Sequence, residues 1–130
     1  MNAVVRTTAL HDYVKQNPGF LRMYESYQPN LALIEKIKTA IAGTRLVVAS
    51  EYWCGDSRRT VPHMARIVEN LPGWPVEVYA WDNTRRGKPW QVRAIPTFIV
   101  YRGEQEVGRI VESPKHGSLE EDLVALLGAK

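Results

Sequence analysis

The chain has 130 residues, 45% of them hydrophobic and 24% charged. That is enough for one domain with its own core, and it excludes the disordered, collagen-like and repeat classes. A net charge of +3 is too small to mark a phosphate-reading surface, which concentrates basic residues on one face. The single cysteine excludes an internal disulfide and any cysteine-rich zinc site.

His11, His63 and His116 are scattered, with no pair at metal-ligand spacing, so no metal is expected. The segment MNAVVRTTALHDYV lacks the long apolar run of a secretory signal, and no stretch approaches a membrane span. The expectation is a monomer in a reducing cytoplasm, with neither membrane nor nucleic acid as a partner.

In chain order, Ala3-Val4-Val5 is a candidate edge strand and residues 8–16 a weak helix. Asn17-Pro18 is a helix start, an Asn N-cap before proline at the first helical position. Phe20, Met23, Tyr24 and Tyr27 follow at helical spacing until Pro29. Asn30 is a second N-cap, ahead of an apolar stripe of Leu33, Ile34, Ile37, Ala40 and Ile41, with Gly43 placed as the left-handed C-terminal residue.

Residues 45–52 (RLVVASEY) open as the continuous apolar run of a strand buried on both faces. Val61, Met64, Ala65, Val68 and Leu71 predict a helix from just after Cys54 to about Asn70, with Pro62 expected to kink it. Residues 75–81 (PVEVYAW) alternate as a strand. The polar stretch 82–89 reads as a loop, with a short helix over 90–93. Residues 96–101 and 107–112 read as a hairpin around Arg102-Gly103-Glu104-Gln105. Ser118 to Glu121 forms a capping box for a last helix burying Leu123, Leu126 and Leu127. Strand–helix–strand followed by a hairpin implies a small mixed sheet, and helices are expected on both of its faces.

Two motifs stand out in this order: Trp53-Cys54-Gly55-Asp56-Ser57 at the end of the first long strand, and Arg93-Ala94-Ile95-Pro96-Thr97 at the start of the hairpin. Together they resemble the thioredoxin-like superfamily. The match is to a bacterial group with a helical N-terminal extension, in which Trp-Cys-x-Asp precedes a cysteine or serine, a basic residue and a Val-Pro pair. The resemblance implies an α/β thioredoxin-like fold, with a central mixed sheet flanked by helices. Residues 1–29 would be the extension and 30–130 the core of one domain. It also implies a cis peptide before Pro96 and a substrate segment held along Ile95.

Two departures from the pattern concern one half-reaction. Ser57 occupies the resolving-cysteine position, and Val48 stands where thioredoxins keep a buried proton-carrying acid. A helix beginning at Cys54 would aim backbone N–H groups at the sulfur and favour a thiolate, the reactive form. Ser57 could add a hydroxyl hydrogen bond, Asp56 opposes the negative charge, and Arg58 or Arg59 would offset Asp56.

The reading is monothiol exchange: Cys54 attacks with Ser57 in support, Trp53, Gly55, Asp56, Ile95 and Pro96 frame the substrate, and an external thiol such as glutathione resolves the mixed disulfide. No bound cofactor is implied; protein thiols or disulfides and glutathione are the expected partners. The alternatives are a non-catalytic peptide-binding module and, more remotely, iron–sulfur handling like that of monothiol glutaredoxins. Trp74, Trp81 and Trp90 read as packing or loop-border residues. Arg85, Arg86 and Lys88 read as a solvated loop and His63 as packed or exposed.

Overall fold

The structure, a computed structural model, describes residues 3–5, 7–51, 54–80 and 91–129. Strand β1 (Ala3–Val5) precedes three helices, α1 (Thr7–Lys15), α2 (Pro18–Ser26) and α3 (Leu31–Lys38). The chain continues through β2 (Thr44–Ser50), α4 (Gly55–Val68) and β3 (Val76–Ala80). A hairpin of β4 (Thr97–Arg102) and β5 (Gln105–Val111) leads to α5 (Leu119–Leu127).

The strands form one mixed sheet in the order β1-β3-β2-β4-β5. β2 runs parallel to β3 and antiparallel to β4, while β1 joins the far edge of β3 in antiparallel sense. This is an α/β thioredoxin-like fold, its mixed sheet flanked by helices, with α1 to α3 ahead of the core.

Local chemistry explains where the helices begin. The Asn17 side chain accepts a hydrogen bond from Gly19 N–H with Pro18 at the first helical position, and Asn30 accepts from Leu33 N–H. Ser118 accepts from Glu121 N–H, as the capping box requires. Each cap satisfies a donor the helix cannot, for about 1 kcal/mol. Gly128 closes α5 in the left-handed region.

The main core lies on the sheet face carrying Leu46, Val48, Phe98, Val100 and Ile110, and residues of all five described helices pack into it. The opposite face carries Val47, Ala49, Tyr79 and Ile99, joined by Val92 and Ile95. The expectation of helices on both faces is therefore corrected for the described residues. Residues 81–90, including Trp81, Trp90 and the Arg85, Arg86 and Lys88 cluster, lie outside them.

Other expectations shift more modestly. The helix from Asn30 ends at Lys38, so left-handed Gly43 instead serves the turn into β2. α4 is continuous through Pro62, whose ring is buried. The anticipated short helix is absent from 91–93, where Gln91 has a positive φ of 55°. In α5, Leu119 and Leu123 are fully buried, whereas Leu126 and Leu127 are half-buried. Trp74 is a packing residue, buried with its indole N–H donated to Thr44 Oγ1 at 2.9 Å.

The N-terminal helices are fastened to α4 by polar as well as apolar contacts. Tyr24 O–H donates to Glu69 at 2.5 Å, His11 also meets Tyr24 and Glu69, and Arg66 lies over the Tyr24 ring. Burial and the Glu69 carboxylate push the Tyr24 phenol up to about 12, so it remains a donor at neutral pH. Further along, Tyr27 donates to the buried Glu120 carboxylate at 2.5 Å, and its ring stacks on His63 at 3.9 Å.

Two predictions follow from this packing. A Cβ on Gly108 would sit 2.6 Å from Leu126 Cγ. Gly108→Ala should therefore destabilise by about 1–3 kcal/mol through overpacking, and Leu126→Ala in the same chain should recover part of that loss in a double-mutant cycle of denaturation midpoints.

Burial, opposed in part by Glu120, holds the His63 imidazole below its ordinary value. The unfolded chain then binds that proton more readily, so this contribution to stability is present above about pH 6.5 and is lost as pH falls toward the folded value. His63→Gln should flatten the acid slope of the unfolding midpoint.

Candidate active site

Strand register brings the two sequence motifs together. Ala49 of β2 pairs with Thr97 of β4, so the chain leaving β2 toward α4 passes the chain entering β4. Cys54 is the residue before α4, in extended conformation at φ −83°, ψ 125°. Its Sγ lies 3.5 Å from the Ile95 carbonyl oxygen. The Ile95–Pro96 peptide is cis. Cys54 is half-buried and packs against the cluster of Val47, Ala49, Tyr79, Val92, Ile95 and Ile99 on the second face of the sheet.

Cys54 occupies the N-cap position of α4, but its side chain makes no capping hydrogen bond. The expectation that backbone N–H groups point at the sulfur is not met in the thiol form. A thiol has a proton to donate, and the Ile95 carbonyl, a much better acceptor than sulfur is, takes it. Three residues along the same helical face, Ser57 is fully buried and its hydroxyl has no hydrogen-bond partner among the described residues.

The charges around α4 also arrange themselves differently from the expectation. Arg59 pairs with Asp56 in the first turn instead of turning to the sulfur. Arg58 reaches the first turn of α2, where its Cδ would lie 3.5 Å from a Cβ on Gly19. Gly55 opens α4 in open space. Trp53 lies outside the described residues. Val48 is fully buried in the main core, as an apolar side chain at that position should be.

One structural element of the site was not legible beforehand. Tyr13 of α1 hydrogen-bonds through its hydroxyl to Ser50 Oγ, 3.0 Å away, at the last residue of β2. The N-terminal helices thus reach the end of the sheet where Cys54 sits. Helical spacing marks Tyr13 as inward-facing, but nothing in the sequence names Ser50 as its partner.

Among the described residues, cavities lie toward opposite ends of the sheet. One of about 570 Å³ lies among Ile41, Thr44, Trp74 and Gly103, far along β2 from Cys54 and without a nucleophile. Another of about 380 Å³ is lined by Gln91, Arg93, Ala94, Thr97, Arg109 and Val111, adjoining Ile95. Among the described residues no three His, Cys, Asp or Glu side chains are placed to hold a metal ion, and no helix is long and apolar enough to cross a membrane.

A strand-to-helix turn holding one cysteine beside an Ile-cis-Pro segment is the arrangement of the thioredoxin-like class. The family profile described as Thioredoxin matches residues 6–122, and the chain belongs to that family. It is 29% identical over 84 residues to a thioredoxin H-type of Populus jackii, covering 62% of this chain and 60% of that protein. It is 38% identical over 77 residues to thioredoxin H2-1 of Oryza sativa subsp. japonica, covering 55% of this chain and 54% of that one. The chain thus spans little more than half the length of these two relatives.

Two solved structures share the fold. An HIV epitope-scaffold crystal structure aligns with a TM-score of 0.58 at 24% identity, over 96% of this chain and 84% of that chain. A Pseudomonas aeruginosa protein of unknown function aligns with a TM-score of 0.55 at 23% identity, over 92% and 82% respectively.

The orphaned hydroxyl gives a direct test of whether Ser57 is structural. Replacing a buried, unpaired hydroxyl by hydrogen removes a desolvation cost of about 1–3 kcal/mol. Ser57→Ala should leave the thermal midpoint unchanged or raised. A fall comparable to loss of a helix cap would mean that the hydroxyl contributes to the resting fold.

Proposed function

We propose that the protein performs monothiol thiol–disulfide exchange. Cys54 attacks a disulfide, and the resulting mixed disulfide awaits an external thiol, of which glutathione is the simplest. The observation that carries this reading is the Cys54 sulfur, half-buried before α4 and facing the Ile95 carbonyl, in a chain of the thioredoxin family.

Each residue has a role in this reading. Thiolate is the attacking species, and Cys54 carries it at the head of α4. Ser57 donates its free hydroxyl to the thiolate as it forms. An extended substrate segment lies along Ile95 and Pro96 in an edge-pairing mode, and Trp53, Gly55 and Asp56 complete the substrate-binding set. No second thiol follows Cys54 along α4, so resolution comes from outside, and a reducing cytoplasm supplies the thiol.

A second reading is favoured by Val48 and Ser57 together. An apolar residue and a hydroxyl stand where a full dithiol cycle needs an acid and a thiol, which also suits a groove that holds a peptide without reacting.

Intact-mass measurement after incubation with oxidised glutathione separates the two. One glutathionyl adduct should form on the native chain and none on Cys54→Ser, and reduced glutathione should remove it. A Cys54 that stays unmodified under native conditions and reacts only once unfolded would leave peptide binding as the function.

A further inference from the structure

The cavity beside Ile95 has a chemistry that the exchange reading does not use. Register places Thr97 opposite Val111 and Ile99 opposite Arg109. Thr97, Ile99, Arg109 and Val111 therefore share one face of the sheet, and it is the face against which Cys54 packs. The cavity opens on that face, beginning at Ala94, the residue before the one touching the sulfur.

Its electrostatics are one-sided. Among the described residues its lining includes two arginines and no carboxylate. Glu106 grips Arg109 through two hydrogen bonds of 2.8 and 2.7 Å, and that contact keeps the Glu106 carboxyl below its ordinary range. The Arg109 charge is thus balanced locally. Arg93 is exposed and makes no hydrogen bond or ion pair among the described residues. The nearest acid on α4, Asp56, is paired with Arg59. Among the described residues Arg93 is thus a cation with no ion-pair partner that faces a cavity of about 380 Å³, a residue away from the segment that contacts the nucleophile.

Resting on the exchange reading, we propose that Arg93 is a specificity residue: the disulfides that Cys54 attacks carry a carboxylate one or two residues from the reacting sulfur, and the carboxylate seats in this cavity against Arg93. A residue in extended conformation advances about 3.3 Å, so a neighbour of the substrate half-cystine pairing along Ile95 spans the step to Ala94 and Arg93. The guanidinium presents a planar fork that suits a carboxylate.

The chemical step balances without another reactant. The Cys54 thiolate forms a bond to one sulfur of the disulfide, the S–S bond breaks, and the other sulfur leaves as a thiolate that takes a proton from water. Cys54 is oxidised to the mixed disulfide while the leaving half is reduced. In the release step an external thiolate attacks the substrate-derived sulfur of the mixed disulfide, forms a new disulfide with it and expels Cys54 as a thiolate.

The test compares adduct formation with three small disulfides of different charge: oxidised glutathione, neutral bis(2-hydroxyethyl) disulfide and cationic cystamine. In the native chain the rate ratio of glutathione disulfide to the neutral disulfide should fall about five- to tenfold on Arg93→Gln, and should shrink as ionic strength rises. Cystamine should gain relative to the neutral disulfide in the same variant. Arg102→Gln, which alters an equal charge at the far end of β4, should leave both ratios where they were.

A ratio unaffected by Arg93→Gln, or moved equally by Arg102→Gln, overturns the proposal while leaving monothiol exchange intact. No adduct with any disulfide overturns both. A glutathionyl group and an acidic protein segment share the chemistry named here. A disulfide-linked peptide with Glu beside its cysteine that reacts faster than oxidised glutathione, in an Arg93-dependent way, assigns the seat to a protein segment; the reverse order assigns it to the tripeptide.

Discussion

The pairing of β2 with β4 is the constraint on which the rest of the site depends. β2 is hydrogen-bonded on both edges, to β3 in parallel and to β4 in antiparallel sense. A strand held on both sides cannot slip by one residue without exchanging Leu46 and Val48 for Val47 and Ala49 across its two packed faces. That locks the Ala49–Thr97 pair. With it the last turn of chain before α4 is held against the chain entering β4, which is why Cys54 and Ile95 meet. The contact is a consequence of backbone register, and side-chain choice only tunes it.

The helix that begins at Cys54 needs its own anchorage, and the N-terminal helices supply much of it. Leu10, Val14 and Phe20 are fully buried in the same core as Val61, Met64 and Ala65 of α4, each large side chain contributing about 1.5–3 kcal/mol of burial. Around that apolar contact, Arg66 donates to the Tyr24 carbonyl at 2.9 Å, and Glu69 accepts from the Tyr24 hydroxyl. Closer to the site, Tyr13 reaches Ser50 and Arg58 lies beside Gly19 in the first turn of α2. The extension is thus a second support for the strand-to-helix turn, applied from the side opposite the hairpin.

Much of this was legible in the sequence because it rests on short-range chemistry. The caps at Asn17, Asn30 and Ser118 need only a side chain and an N–H two or three residues away. The buried run of β2 and the alternation of β3 follow from period alone. What could not be read are contacts whose partners lie far apart in the chain: Tyr13 with Ser50, Tyr27 with Glu120, the cavity between Arg93 and Arg109. Cys54 illustrates the difference within one residue. Its place at the head of α4 follows from local pattern, whereas its hydrogen bond to Ile95 depends on a strand pairing more than forty residues away, and the pattern alone suggested amide N–H partners instead.

The resting site also contains an imbalance that bears on the proposed chemistry. In the thiol form, Cys54 donates to the Ile95 carbonyl while the Ser57 hydroxyl has no partner. On the exchange reading, loss of the thiol proton would invert both relations: the sulfur would face a carbonyl oxygen it could no longer satisfy, and the Ser57 hydroxyl would gain an acceptor. An extended substrate pairing along Ile95 would offer an N–H to that same carbonyl and remove the repulsion at the moment it arises. Ser57 and the substrate backbone would then both interact better with the thiolate state than with the thiol. Interactions gained only on the way to reaction are the ones that accelerate it. On the exchange reading the lone sulfur would stay quiet until a substrate strand is in place, a useful property for a cysteine with no second thiol in the chain to release it.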